Sequence, residues 1–385
     1  MTVNKIVADH GIDEMVAWED GLRGTTKNQY ETGSVAVDFW ETLFWGGIDG
    51  LVDIADDGFD IIMSNPDYLY FDFPYEVNPE ERGYYWAARF NSVYKVFTFA
   101  PENLAQNAET STDRDGNDMS VTTPNVPAPK IRGMQGQTWS ETIRTDDQYY
   151  EMAFPRVLAV AERAWHRASW ELDWSPGDTY DATTGRVPMD DLATDYHSFV
   201  SKLGCHEMFK MKKLGINYRV PPPGASIDAS GVLTANSELP CTVIMYSLDK
   251  GSKWSKYSGP VGVDNDEVVF LQSVSSDGVL KSRLVTIDEA CDDCVKVDSG
   301  NDVNTNYGNT NDGANNDGKT NDGNAGGGNA GGGNTNMDPT TTTNGQSPLP
   351  PNDYGYTIYN GGNSLLMVGY FKCLFSVGFL LAFAQ

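Results

Sequence analysis

Aromatic residues stand beside acidic residues at several points in the first 145 positions of the sequence. These clusters are Trp18-Glu19-Asp20, Phe39-Trp40-Glu41, Tyr68-Leu69-Tyr70-Phe71-Asp72 and Trp139-Ser140-Glu141. Flat indole rings can cover the C–H face of a pyranose, and carboxylates can accept hydrogen bonds from its hydroxyls. The clusters are therefore typical of a sugar-binding site, although tryptophans at strand ends are also common core residues.

Most of these clusters lie at or near the end of a segment with the pattern of a β-strand. The candidate strands are Met15–Trp18, Val35–Phe39, Phe59–Met63 and Ile131–Gly133. Helical stretches separate them, which predicts parallel strands with crossover helices. Apolar residues recur every three or four positions from Tyr149 to Trp170, which predicts one helix with Pro155 in its first turns. In an α/β barrel the carboxyl ends of the strands form the active-site face, where the clusters are expected to meet.

The charge balance excludes a general nucleic-acid binder. The 385 residues contain 27 Lys and Arg against 54 Asp and Glu, which gives a formal net charge of −27. Neutralising phosphates requires a basic surface, and no sufficiently large cluster of Lys and Arg is present. A neutral or cationic ligand fits this balance better.

The five cysteines indicate no metal site. Cys205, Cys241 and Cys373 stand alone in the sequence, and Cys291 with Cys294 forms a single CxxC. A zinc site needs a second pair or neighbouring histidines to complete four ligands. We therefore expect a local disulfide or free thiols at the CxxC, and we expect no cofactor.

Five long motifs resemble the family 20 glycoside hydrolases, most closely the bacterial chitobiases. They are MVAWEDGL, SNPDYLYFDFPYEVNPEERGYYWAARF, FAPENLAQNAET, QGQTWSETIRT and FPRVLAVAERAWHRASWE. The resemblance covers about residues 1–215 and implies the C-terminal half of a (β/α)8 TIM barrel. It implies a β-N-acetylhexosaminidase that removes terminal N-acetylglucosamine (GlcNAc) from chitobiose and related oligosaccharides. The family reaction is substrate-assisted and retaining, in contrast to the usual scheme with two carboxylates.

The resemblance also assigns aromatic site residues. Trp18, Trp40 and Trp139 are expected to form the walls of the pocket around the sugar and its acetamido group. Trp45 is the alternative to Trp40 in this register. Trp86 is expected to stack under the next sugar.

The polar site residues follow from the same motifs. Tyr70 is the expected catalytic residue of this chain and donates its hydroxyl to the acetamido oxygen. Asp72 and Glu141 are expected to accept hydrogen bonds from the outer hydroxyls of the sugar. In the family, an adjacent Asp and Glu at the end of the fourth strand orient the acetamide and protonate the leaving oxygen. We find no GGDE-type motif for them here.

One Asp-Glu pair could be mistaken for the missing one. It is Asp13-Glu14, but it precedes the strand that leads to Trp18, so we interpret it as a solvated pair in a helix-to-strand connection. The expectation is therefore a fragment with about four of eight barrel strands, nearly inactive by itself.

The rest of the sequence divides into three parts. Residues 216–290 contain the candidate strands Tyr218–Val220, Val232–Ala235, Thr242–Ser247, Val268–Val274 and Ser282–Thr286, with a hairpin turn at Ser275–Gly278. This part resembles the immunoglobulin-like C-terminal domain of the same enzymes. Residues 291–363 are rich in Asn, Gly and Thr and are expected to be a disordered linker. Residues 364–385 are apolar enough to cover a bilayer and are a lipid-anchor signal, a membrane anchor or a spurious tail. This tail suggests an extracellular or cell-surface protein, although the first ten residues contain no export signal.

Two other functions compete with the hydrolase. The retained aromatics, the linker and the tail also fit a catalytically inactive, surface-tethered sugar-binding remnant. A non-functional translation product that does not fold is the third alternative. The expected partners are GlcNAc-containing oligosaccharides, with membrane attachment through the tail and no nucleic acid.

Overall fold

The computed structural model describes residues 2–264 and 267–287, together with the backbone of 379–383. Its helices are α1 (Thr2–Asp9), α2 (Gly47–Asp56), α3 (Pro66–Leu69), α4 (Val93–Phe97), α5 (Asp146–Ala153), α6 (Val157–Trp165), α7 (Met189–Lys202) and α8 (Met208–Lys213). Its strands are β1 (Glu14–Trp18), β2 (Ser34–Phe39), β3 (Asp60–Met63), β4 (Ser120–Thr122), β5 (Ile131–Gln137), β6 (Thr179–Asp181), β7 (Gly224–Ile227), β8 (Val232–Asn236), β9 (Val243–Ser247), β10 (Ser255–Lys256), β11 (Val261–Gly262), β12 (Val269–Val274), β13 (Val285–Ile287) and β14 (Phe379–Phe383).

A five-stranded sheet organises the first half of the chain. Its order is β1-β2-β3-β5-β14, and the first four strands are parallel to one another. β2 is buried along almost its whole length, as expected for a central strand covered on both faces. The predicted parallel strands and mixed α/β content are confirmed, and the carboxyl ends of β1, β2, β3 and β5 meet at one edge.

The predicted strands match β1, β2 and β3 to within one residue at each end, and the fourth predicted strand is shorter than β5. β5 extends to Gln137 instead of ending at Gly133, because its second half is buried in the sheet. The single helix predicted from Tyr149 to Trp170 is wrong. The chain forms α5 and α6 instead, with Phe154-Pro155 in a cis peptide bond between them, and residues 166–170 are not helical. Pro155 cannot donate the backbone hydrogen bond that a continuous helix requires.

The second half of the described chain forms two small sheets. One has the order β10-β9-β12-β13 and the other β11-β8-β7, both antiparallel. Their shared core contains Ile227, Leu233, Val269 and Leu271. We call residues 224–287 the sandwich.

Several details of the sandwich differ from the sequence prediction. Tyr218–Val220 is not a strand, and the first strand is β7 after the three prolines, which lack backbone donors. The predicted strand Ser282–Thr286 is also shifted, since β13 begins at Val285. The turn predicted at Ser275–Gly278 is present, with Gly278 N donating to Ser275 O at 2.8 Å.

The sandwich is fastened to the helices that precede it. Cys205 and Cys241, which belong to no cysteine motif in the sequence, form a disulfide. The pairing joins positions 36 residues apart in different elements, which spacing alone could not reveal. Beside it, Tyr196 on α7 donates a 2.7 Å hydrogen bond to Glu238 in the sandwich. Gly204 lies so close that an added Cβ would meet Pro240 O at 2.1 Å.

The linker and most of the tail predicted from the sequence lie outside the described residues. The exception is β14, whose backbone pairs antiparallel with β5. Among the described residues, no helix combines the length and apolar character needed to cross a membrane. Cys291, Cys294 and Cys373 are also outside the described part, so the expectations about them stay predictions.

Candidate functional site

One open cavity lies at the carboxyl edge of the parallel sheet. Its volume is about 590 Å³. It brings together all seven side chains assigned from the sequence, namely Trp18, Trp40, Tyr70, Asp72, Trp86, Trp139 and Glu141. The sequence predicted which residues would meet, and their individual roles toward a ligand stay predictions.

The aromatic walls come from the ends of three strands. Trp18 is the last residue of β1, Trp40 follows β2, and Trp139 stands two residues after β5. Trp18 and Trp139 pack with their ring centroids 6.0 Å apart, and Tyr70 meets the Trp139 ring edge-on at 5.9 Å. The cavity therefore has preformed indole faces of the kind that cover a sugar ring.

Tyr70 and Asp72 reach the cavity by a different route. β3 ends at Met63, and the short helix α3 intervenes before the chain returns to the sheet edge. There Tyr70 forms a parallel bridge with Gln137, and Phe71 N donates to Gln137 O at 2.6 Å. This pairing extends the sheet past β3 and turns the two polar side chains toward the aromatic walls.

Asp72 is a buried acid with one oxygen free to accept a hydrogen bond from a ligand. The side chain is 2% exposed, and its Oδ1 has no hydrogen-bond partner in the described part of the chain. Burial raises the pKa of Asp72 to about 7, and the Glu141 carboxylate acts in the same direction while Arg156 opposes it. A ligand hydroxyl would satisfy this buried oxygen, which is costly to leave unpaired.

A second buried acid, Glu19, holds the backbone of one aromatic wall, Trp40. Glu19 is fully buried beside β1, and its carboxylate accepts hydrogen bonds from Arg23 at 2.6 Å and from Trp40 N at 3.2 Å. Burial raises the pKa of Glu19 to about 7, with Arg23 opposing and Glu41 adding to the shift. Glu19 thus fixes the backbone at Trp40, a role that the sequence did not indicate.

Arg156 holds the segment that carries Tyr70 and Asp72. Its guanidinium is fully buried and donates to Phe71 O and Phe73 O at 2.8 and 2.9 Å, the two carbonyls that flank Asp72. It also donates to Met152 O and Asn91 O. One side chain therefore satisfies four buried carbonyls, and it ties the site to the start of α6.

Trp40 lines the cavity, whereas Trp45 lies outside its lining. Trp45 stacks on Trp86 with centroids 6.2 Å apart and planes 20° apart, and the Arg114 guanidinium lies 5.6 Å from its ring centre. This placement favours Trp40 as the pocket wall in the register chosen from the sequence. Trp45 extends the aromatic surface beyond Trp86.

Two further residues line the cavity. Asp20 directly follows the Trp18-Glu19 pair, and Tyr84 lies within the GYYW motif. Asp20 could have been found from its position two residues after β1, and Tyr84 from its place beside Trp86 in the same motif.

Asp13 and Glu14 lie at the opposite, amino-terminal edge of the sheet. Asp13 is exposed, and Glu14 begins β1 and forms an ion pair with Arg132 while 38% of its side chain stays exposed. Neither residue lines the cavity. In residues 2–264 and 267–287, no group of three or more His, Cys, Asp or Glu side chains could hold a metal ion.

Two family models match the chain. Residues 1–168 match the catalytic domain of glycosyl hydrolase family 20, and residues 207–284 match the chitobiase/beta-hexosaminidase C-terminal domain. A solved structure of the GH20 beta-N-acetylhexosaminidase from Streptomyces coelicolor A3(2) aligns with 57% of this chain and 35% of its own, at 22% identity and a TM-score of 0.36.

Curated relatives agree with the family models. N,N'-diacetylchitobiase of Vibrio harveyi is 45% identical over 286 residues, which cover 74% of this chain and 32% of the relative. Beta-hexosaminidase of Vibrio vulnificus is 43% identical over 275 residues, covering 68% of this chain and 32% of the relative. This chain thus spans about a third of the length of these relatives. Residues 1–168 belong to glycosyl hydrolase family 20, and residues 207–284 belong to the chitobiase/beta-hexosaminidase C-terminal domain family.

Proposed function

We propose that the cavity binds a terminal, β-linked N-acetylglucosamine residue as part of a β-N-acetylhexosaminidase. The observation that carries this proposal is the meeting of three indole walls, the Tyr70 hydroxyl and two acceptor carboxylates in one open cavity. An acetamido sugar presents an apolar ring face, a carbonyl oxygen and a row of hydroxyls, and each of these finds a counterpart in the cavity.

We also propose that the four parallel strands are half of a (β/α)8 barrel. Supporting this, Gln137 on β5 has a buried amide nitrogen without a hydrogen-bond partner in the described part of the chain. Buried amide groups normally find partners, and additional barrel strands would offer them. An Asp-Glu pair on such a strand would complete the substrate-assisted reaction, in which the Tyr70 hydroxyl holds the acetamido oxygen in position to attack the anomeric carbon.

A chimera tests this function directly. The 286-residue segment of the Vibrio harveyi relative that aligns with this chain would be replaced by the corresponding residues of this chain. We expect hydrolysis of an aryl N-acetylglucosaminide with retained anomeric configuration. No turnover by a folded chimera, or an inverted product, would contradict the proposal.

The disulfide bears on the cellular compartment of the protein. We propose that the protein works outside the cytosol, since structural disulfides such as Cys205–Cys241 persist mainly in oxidising compartments. Thiol alkylation of protein recovered from its native cells, without added reductant, tests this. Labelling of Cys205 and Cys241 would argue for a reducing location.

A further inference from the structure

We propose that the sandwich positions the aromatic loop of the sugar site through a half-buried cluster of charges. The site loop, defined as residues 73–90, joins the Tyr70–Asp72 segment to α4 and carries Tyr84 and Trp86. The clamp, defined as Arg219, Arg283, Glu76 and Glu81, connects this loop to the sandwich. The role goes beyond sugar binding because it gives the C-terminal domain a part in shaping the site.

The clamp contains two acids from the loop and two arginines from the sandwich side. Arg283 lies two residues before β13 and donates to Glu76 Oε2 at 3.0 Å. Arg219, in the connection to β7, donates to Glu76 Oε1 at 2.6 Å and to Glu81 Oε1 at 2.5 Å. Glu76 thereby bridges both arginines.

The side chains of the clamp have limited access to water. Its four side chains are between 11% and 28% exposed. Burial alone would raise the pKa of Glu81, but Arg219 and Arg283 hold that pKa below its ordinary value. Removing one partner from such a cluster leaves the other charges poorly solvated, so these contacts restrain the loop more than exposed ion pairs do.

The clamp also connects to Asp72. The Arg219 guanidinium lies 4.4 Å from the centre of the Tyr75 ring, and the Arg156 guanidinium lies 3.7 Å from the same ring. Arg156 in turn holds the carbonyls on either side of Asp72. A continuous series of cation–aromatic and hydrogen-bond contacts therefore runs from the sandwich to the polar end of the cavity.

The apolar core restrains this loop only in part. No helix or strand lies within residues 73–90, and Val77, Tyr84, Tyr85 and Trp86 are all exposed. Near its tip, Arg82 donates to Thr142 O at 2.6 Å, and Tyr84 N donates to Asp72 O at 3.0 Å. The clamp supplies the ionic restraint in the first half of the loop, at Glu76 and Glu81.

The sandwich is a suitable anchor because it is itself fixed. The Cys205–Cys241 disulfide and the Tyr196–Glu238 hydrogen bond join it to the helical segment that contains α7 and α8. A loop held against a fixed body keeps Trp86 in one place before the ligand arrives. Preorganisation of this kind favours binding by lowering its entropic cost.

The first test measures hydrogen exchange of the chain without a ligand. In Arg283→Met, amides of the site loop should exchange about fivefold faster or more, because the bridge through Glu76 is broken. Arg283→Lys keeps the charge and should restore part of the protection. Arg186→Met removes an exposed ion pair with Asp178 and serves as the matched control. Unchanged exchange of the site loop in Arg283→Met would overturn the proposal.

The second test uses ligands and rests on the proposed function. Trp86 is assigned to the second sugar, so Arg283→Met should weaken binding of the β-1,4-linked GlcNAc disaccharide about fivefold and leave GlcNAc binding unchanged. Glu76→Gln, which changes the loop side of the clamp, should give the same pattern. Equal losses for both sugars would contradict a positioning role. If the unaltered chain binds neither sugar, the proposed function fails, while the exchange experiment still decides the role of the clamp.

Discussion

Tyr70 and Asp72 reach the cavity through backbone contacts made by their neighbours. Phe71 pairs with Gln137, and Arg156 holds the carbonyls of Phe71 and Phe73. The positions of both site residues are thus set by groups that themselves face away from a ligand. Such support is expected where a site must be held within a fraction of an ångström.

Replacing the Tyr70 hydroxyl isolates one predicted contact. Tyr70→Phe should weaken GlcNAc binding by the chain about tenfold, because one buried donor to the acetamide is lost. Glucose binding should be unaffected, since glucose has no acetamido group. Titration followed by tryptophan fluorescence provides the measurement, with Tyr149→Phe on α5 as the control. An equal loss for both sugars would indicate a structural role for Tyr70.

Buried acids should give the fold a distinctive pH dependence. Burial raises the pKa of Asp38 from its ordinary 3.8 to about 6, so the folded state binds this proton more tightly than the unfolded state. The resulting stability is fully present below about pH 4 and is lost as the pH rises through 6.

Asp38→Asn should remove the loss of stability at high pH, because asparagine stays neutral where the Asp38 carboxylate ionises. We expect the free energy of unfolding to rise by about 1–2 kcal/mol at pH 8 and to change little at pH 3. Urea denaturation at both pH values provides the comparison. Asp53→Asn, at an exposed position on α2, is the control. A gain of the same size at both pH values would contradict this account.

Among the elements, β5 shows why the strand behind the site must contain a small residue. A Cβ added to Gly136 would meet the Phe71 ring at 2.6 Å, and that ring is buried. Gly136→Ala should therefore displace Phe71 and destabilise the fold by about 1–3 kcal/mol.

The same substitution should also weaken GlcNAc binding, because Phe71 lies between Tyr70 and Asp72. Thermal unfolding and sugar titration measure the two effects. Gly262→Ala on β11 has open space around it and serves as the control. Normal sugar affinity in a destabilised Gly136→Ala protein would separate Phe71 packing from the site.

Sequence patterns predicted strands and site residues best where the signal lay within a few neighbouring residues. Trp18 and Trp40 were found because apolar strand segments precede them, and Trp139 because it stands beside Glu141 in a motif of the resemblance. The break between α5 and α6 was missed because the apolar spacing continues across Pro155. Glu19 and Arg156 were missed as supports because their partners lie on other segments, which no spacing rule reveals. The roles of the seven assigned residues rest on resemblance and await experiments.

At the scale of the whole molecule, the Cys205–Cys241 disulfide joins the sandwich to the helical segment that contains α7 and α8. Reducing it releases a connection between positions 36 residues apart and should lower the free energy of unfolding by about 4 kcal/mol. Urea denaturation with and without reductant measures this loss. The double variant Cys205→Ala, Cys241→Ala should be insensitive to the reductant. Equal stability of the oxidised and reduced chains would contradict the contribution of the disulfide.

The predicted membrane attachment requires a separate test, because most of the tail lies outside the described residues. Residues 364–385 would be fused to a secreted reporter, and the cells would be treated with a phospholipase that cleaves glycolipid anchors. Release indicates a lipid anchor, and retention with solubility in detergent indicates a spanning segment. Free secretion of the reporter contradicts both forms of attachment.

The central claim is that the cavity recognises an N-acetylated sugar, and titration of the chain with GlcNAc and with glucose tests it most directly. Isothermal calorimetry measures both affinities on the same preparation. We predict binding of GlcNAc at least about tenfold tighter than binding of glucose, because only the acetamide can accept from Tyr70 and pack between the indoles. Equal affinities, or no binding of either sugar by the folded chain, would contradict the account.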